Sequence, residues 1–147
     1  MKKNYPSGAK VIVVGGGVIG CSVIYHLTKF GWNDVVLLER DQLTSGTTWH
    51  AAGLVSQLGP TAAITKIRKY SLDLYKELEK IVDHSAGLRL NGALSIAQTD
   101  ARWQELKRQA TTAELYNIDL KLLDKATIKK NYPMMETEDL RGGVLMP

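Results

Sequence analysis

The run "VVGGGVIG", residues 13–20, limits the folds open to this chain more than any other stretch. It continues "AKVIVV", a short apolar, β-branched run of the kind that forms a strand covered on both faces. Beyond it, Val18, Cys21, Val23, Ile24, Leu27 and Phe30 recur at helical spacing over residues 18–30, and Gly31 supplies the stop. "DVVLLE", residues 34–39, repeats the buried-strand pattern. Strand, helix and strand in that order form a crossover unit whose two strands run parallel.

Within this unit Gly15, Gly17 and Gly20 make the spacing GxGxxG at the junction of strand and helix. Gly15 permits the tight turn, Gly17 lets a pyrophosphate reach the backbone, and Gly20 lets helix and strand pack closely. The helix start, at Val18 and Ile19, offers N–H groups to phosphate oxygens. Glu39 closes the second strand 24 residues after Gly15, where a carboxylate accepts hydrogen bonds from an adenosine ribose. Its charge repels a 2′-phosphate and disfavours NADP, with Arg40 beside it as the one opening. The unit therefore reads as a site for an ADP-containing dinucleotide. NAD and FAD share that ADP half, and the glycines do not separate them.

Further along, Pro60 and Thr61 open an amphipathic helix of about five turns with Ile64, Ile67, Ser71, Leu74, Leu78 and Ile81 on one face. "GALSIAQ" reads as a strand, and Asp100 caps a helix reaching about Tyr116. "DLKLLD" is a short strand, and Lys125 to Asn131 is a short helix ended by Tyr132-Pro133. "GGVLMP" is a strand that has barely started. The fold class is α/β: a Rossmann-like unit in residues 1–84, followed over 85–147 by the start of a second, α+β region.

Composition narrows the function classes. A chain of 147 residues with 44% hydrophobic content is of a size to bury one core. The net charge is +4, and Lys2-Lys3, Lys66 to Lys69 and Lys129-Lys130 lie far apart without interleaved aromatics, which argues against a nucleic-acid partner. No run approaches a membrane span, and "MKKNYPSGAK" has no apolar core behind its charge. The lone Cys21 excludes an internal disulfide and suits a reducing, cytoplasmic setting. Within the first helix it reads as a packing residue. His26 and His84 have no neighbours at metal-ligand spacing, so no metal site is expected.

After Glu39-Arg40 the chain reads "DQLTSGTTWHAAGL", and here the sequence resembles the flavin-dependent amine oxidoreductases of the D-amino-acid oxidase type, in their sarcosine and dimethylglycine dehydrogenase branch. "LLER", "NGALSIA", "YPMME" and "DLRGGVLMP" keep the family's order and spacing over essentially the whole chain. The resemblance implies FAD as cofactor, with the pyrophosphate and ribityl chain wrapped by Gly46, Thr47, Thr48, Ala52, Gly53 and Leu54. It also implies that His50 carries the flavin covalently through its 8α carbon, a bond that a neutral imidazole with a free lone pair can make. Trp49 is expected to seal the flavin edge.

The family oxidises the N-methyl group of a small secondary or tertiary amino acid by hydride transfer to FAD, and tetrahydrofolate takes up the one-carbon unit in some members. The family fold needs a considerably longer chain, so these residues read as an N-terminal piece. They are expected to be incompletely folded or self-associated alone, with no catalytic acid or base and with the electron acceptor unspecified. Two alternatives remain open: an NAD-dependent Rossmann dehydrogenase in which His50 is a loop histidine, and a non-catalytic nucleotide-binding subunit of a multi-chain oxidase.

Overall fold

The computed structural model describes residues 6–82 and 84–147, so the Lys2-Lys3 pair lies outside the described residues. The chain divides into two compact units between Leu54 and Val55. The long helix that Pro60 and Thr61 open falls in the second unit.

In the first unit β1 (Val11–Val14) and β2 (Val35–Leu38) pair in parallel, Val11 beside Val35 and Val14 beside Leu38. Helix α1 (Val18–Lys29) connects them and packs on both. The chain leaves α1 through Gly31 at φ +87°, the glycine read as its stop. One expectation fails here. β1 is not covered on both faces, for Ile12 and Val14 are 52% and 82% exposed. The cause is the unit's make-up: α1 is its only α-helix among the described residues and shields one face of a two-stranded sheet.

The second unit opens with α2 (Ala62–Ile81), capped by the Thr61 hydroxyl, which accepts from the Ile64 N–H. Its buried residues are Thr65 and Leu72. Of the stripe expected to face inward, Ser71, Leu74 and Leu78 are half-buried, while Ile67 and Ile81 are 60% and 63% exposed. Two polar bonds tie the helix to its surroundings: Thr65 Oγ1 accepts from the Gly59 N–H at 3.1 Å, and Lys69 Nζ donates to the Tyr116 carbonyl at 2.8 Å.

Strands β3 (Ala93–Ala97), β4 (Lys121–Leu123) and β5 (Gly142–Met146) form an antiparallel sheet in the order β3-β5-β4. The segment read as a strand that had barely started is therefore the sheet's centre, hydrogen-bonded on both edges. Helix α3 (Asp100–Glu114) crosses β3 and β5 and buries Leu106, Ala110 and Ala113 at i, i+4 and i+7. Its cap is Thr99, whose hydroxyl accepts from the Arg102 N–H; Asp100 is the first helical residue rather than the cap. Ala97, Leu106 and Val144 make the core, with Trp103 and Leu120 packed against it. Helix α4 (Lys125–Asn131) keeps the expected bounds and buries Ile128. No described helix is long and apolar enough to cross a membrane.

Candidate nucleotide site at the glycine turn

β1 ends at Val14, and the chain turns through Gly15, Gly16 and Gly17 into α1. Gly15 sits at φ +103°, which glycine adopts without a Cβ clash, and its N–H donates to the Leu38 carbonyl of β2 at 2.8 Å. A Cβ on Gly20 would collide with the Gly15 carbonyl, so this glycine keeps α1 against the turn, as its position in GxGxxG suggests. Gly17 is the N-cap residue of α1, and only the Thr48 hydroxyl would crowd a Cβ there, at 3.1 Å.

Two side chains reach into the turn from residues after β2. Glu39 Oε2 accepts from the Gly16 N–H at 2.6 Å, and its Oε1 accepts from the Asp41 N–H at 3.0 Å. These bonds, that of Gly16 foremost, hold the Glu39 carboxyl below the usual carboxylate range. Thr48 Oγ1 accepts from the Val18 N–H at 2.9 Å, so the first helical donor of α1 already has a partner.

A cleft of about 820 Å³ opens at this turn. Gly15, Gly17, Val18, Ile19 and Gly20 of the turn and helix start line it, together with Glu39, Arg40, Gly46, Thr47 and Thr48 from the segment after β2. His50, Ala52, Gly53 and Leu54 are not among its walls. Ala51, one of the small residues flanking His50, also lines it, and Val13, Leu38, Asp41 and Ser45 join the lining without having been expected at a site.

The most informative of the unassigned residues is Gly16, which is buried and bonded at both its N–H and its carbonyl. As a free position of GxGxxG it escaped the motif. The signal was the third consecutive glycine where any residue is permitted.

Thr47 to His50 form a single 3-10 turn. The His50 Nδ1 lies 3.1 Å from the Gly46 carbonyl. Since a carbonyl only accepts, Nδ1 carries the proton and the lone pair of the neutral ring lies on Nε2. Trp49 is 78% exposed and Leu54 89%. Cys21 is free and half-buried, its Sγ donating to the Gly16 carbonyl at 3.5 Å. His26 is held by the Ser22 carbonyl, 2.6 Å from Nδ1, and meets the Tyr25 ring edge-on. Among the described residues no cluster of His, Cys, Asp or Glu is placed to hold a metal ion.

A parallel strand, helix, strand unit with a glycine turn at its carboxyl end and an acidic residue closing the second strand defines a dinucleotide-binding protein. Residues 10–147 match the family described as FAD dependent oxidoreductase, and the chain belongs to that family. Membership settles the choice that the glycines left open in favour of FAD over NAD. The chain is 41% identical to mitochondrial sarcosine dehydrogenase of Homo sapiens over 143 residues, 97% of this chain and 16% of that protein. It is 35% identical to mitochondrial dimethylglycine dehydrogenase of Homo sapiens over 139 residues, 95% of this chain and 16% of that protein. Among solved structures, L-proline dehydrogenase from P. horikoshii superposes with a TM-score of 0.87 at 22% identity, covering 97% of this chain and 37% of that one, which shows the shared fold. The chain thus spans about a sixth of the length of these curated relatives.

Proposed function

We propose that this chain holds FAD for an oxidoreductase acting on the N-methyl group of a small amino acid of the sarcosine or dimethylglycine type. The observation that carries the reading is the junction of Gly15, Gly17 and Gly20 with Glu39 across two parallel strands, in a member of an FAD-dependent family. FAD, when bound, supplies the hydride acceptor. The residues present suit its ADP half. Gly17 offers backbone without a side chain at the mouth of α1, and each Glu39 oxygen, occupied by one N–H, keeps a lone pair for a ribose hydroxyl. Val18, Ile19, Gly46, Thr47 and Thr48 surround the phosphate position. Arg40 is among the lining residues.

His50 is assigned the covalent link to the flavin 8α carbon, with Ala52, Gly53 and Leu54 lying along the cofactor beyond it. Support comes from its Nδ1 contact with Gly46, which leaves Nε2 as the attacking atom. No acid or base for the amine oxidation is assigned within these residues. Tetrahydrofolate as carbon acceptor and the final electron acceptor belong to the whole protein's activity. In the same reading the nucleotide part extends over 1–84 and the flavin-covering part begins at 85. Self-association of the isolated chain is favoured by the open face of β1. A cytoplasmic setting rests on the lone, unpaired Cys21; the mitochondrial relatives offer the alternative, and cell fractionation decides.

One experiment tests the core of this reading. Purified protein is examined for flavin absorption and then precipitated with acid. Flavin bands that stay with the pellet, on the tryptic peptide containing Trp49-His50, are the expected result. Bands released entirely to the supernatant refute the covalent link, and failure to take up added FAD refutes the site.

A further inference from the structure

One residue of the first unit that the nucleotide motif leaves free is bonded at both ends of its backbone. Gly16 donates its N–H to Glu39 Oε2 at 2.6 Å and accepts at its carbonyl from the Thr44 N–H at 2.9 Å. A Cβ there would meet Leu43 Cδ2 at 2.5 Å and the Glu39 side chain at 3.1 Å, so the segment after β2 closes directly upon it. Thr44 pays with a backbone at φ +67°, a left-handed conformation that is unusual for a β-branched residue. Strain of this kind persists where surrounding contacts hold it in place. Glu39 is itself fixed by a second bond, from the Asp41 N–H.

We propose that residues 39–44 form a clamp that shapes the glycine turn before any nucleotide arrives, with Glu39 as its positioning residue. The proposal rests on reading the turn as the phosphate site, and adds to it a second duty for Glu39. The carboxylate restrains the Gly16 peptide, and through it the adjoining Gly17 backbone that a pyrophosphate approaches. The Thr44 N–H restrains the same residue from its carbonyl side. A group acting only through the ribose would leave the turn unchanged when removed; a clamp would not. Ordering the turn in advance removes an entropic cost from binding, so the effect reaches ligands that lack the ribose hydroxyls.

Two measurements on the purified protein test this. The first needs no ligand: amide hydrogen exchange at Gly16 in wild type, Glu39→Ala and Glu39→Gln, with the Leu106 amide as internal control for folding. Gly16 protection should fall on the order of tenfold in Glu39→Ala, matching the loss of one hydrogen bond to a charged group. In Glu39→Gln, which keeps an acceptor oxygen, it should fall less, with Leu106 unchanged in both. Equal Gly16 protection in wild type and Glu39→Ala overturns the clamp.

The second measurement compares ADP with 2′,3′-dideoxy-ADP in wild type and Glu39→Ala. The clamp requires a loss of affinity on the order of tenfold for both ligands. A loss confined to ADP assigns Glu39 to the ribose alone and overturns the proposal. Should wild type bind neither ligand, the nucleotide reading fails, while the exchange experiment still decides whether the clamp exists.

Discussion

Among the described residues up to Leu54, Gly16 alone is buried, whereas the residues from Val55 onward bury Leu72, Leu106, Ile128, Leu140 and Val144. The first unit gets its local order from hydrogen bonds aimed at backbone: Glu39 and Thr44 on Gly16, Thr48 on Val18, Leu38 on Gly15. In the second, a helix lies across a three-stranded sheet and removes apolar side chains from water. The contrast comes from the surface each must present. On the proposed reading the first unit receives phosphates, and such a surface keeps N–H groups and glycines at hand, which contribute little hydrophobic burial. Substitutions should therefore separate the units, striking ligand retention in the first and global stability in the second.

The largest separation is expected from Gly17→Val. Its Cβ meets only the Thr48 hydroxyl, the end of a side chain that can turn aside, so the fold should persist while the approach of a pyrophosphate is blocked. Flavin content after purification should drop to background with an unchanged thermal transition of the second unit. Wild-type flavin content in the variant would remove Gly17 from the site.

Leu106→Ala makes the opposite cut. Leu106 is fully buried against Ala97 and Val144, and truncation of such a side chain costs about 2–5 kcal/mol through lost transfer energy and the cavity left behind. Denaturant titration followed by fluorescence of Trp103, which packs on that core, reads the loss. A cost below about 1 kcal/mol would mean that the core is looser than its burial implies.

The same contrast explains how much was legible in the sequence. Glycine spacing, apolar runs and caps are local, and they located β1, α1, β2, α4 and the Gly15–Gly17–Gly20 turn. Coverage is not local. "VIVV" reads as buried whether or not a second layer exists, and only one of its faces met a helix. In α2 the period picked out an apolar stripe whose Ser71, Leu74 and Leu78 are half-buried, but the two buried residues, Thr65 and Leu72, lie beside it. β5 looked like a beginning because nothing in "GGVLMP" announces two antiparallel neighbours, β3 and β4. At the site, motif logic named the residues expected to touch ligand and passed over Gly16, whose role lies in bonds to a loop more than twenty residues away. His50 was singled out by resemblance, and its hydrogen bond to Gly46 is a detail that only geometry supplies.

A smaller effect is expected where the first unit uses a side chain as a helix cap. Thr48→Val keeps the shape and removes the acceptor of the Val18 N–H, a change worth about 0.5–2 kcal/mol when a capping oxygen is lost. The exchange rate of the Val18 amide should rise accordingly. FAD should restore its protection, because a phosphate oxygen can take over the same donor. If FAD leaves the Val18 amide of the variant unprotected, the cofactor does not reach the start of α1.

The smallest effect belongs to the surface of the second unit. Arg108 binds Glu105 through two hydrogen bonds, Nε to Oε2 at 2.8 Å and an Nη to Oε1 at 2.7 Å, and Gln109 adds a third at 2.9 Å. The Arg108 bonds first, and then that of Gln109, lower the Glu105 carboxyl from 4.5 to about 2. A carboxyl lowered in the folded state contributes stability that is complete above pH 4.5 and is lost as pH falls from there through about 2. With the two side chains 37% and 68% exposed, water and salt screen the pair, and exposed pairs of this kind contribute little. Carboxyl titration by NMR should accordingly place Glu105 below an ordinary glutamate by a margin that added salt narrows, and Arg108→Ala should return it upward. Meanwhile Glu105→Gln at neutral pH and physiological salt should leave the denaturation midpoint where it was. A marked fall in that midpoint would show that the second unit, too, depends on directed polar bonds, and the contrast between the units would narrow to their buried apolar side chains alone.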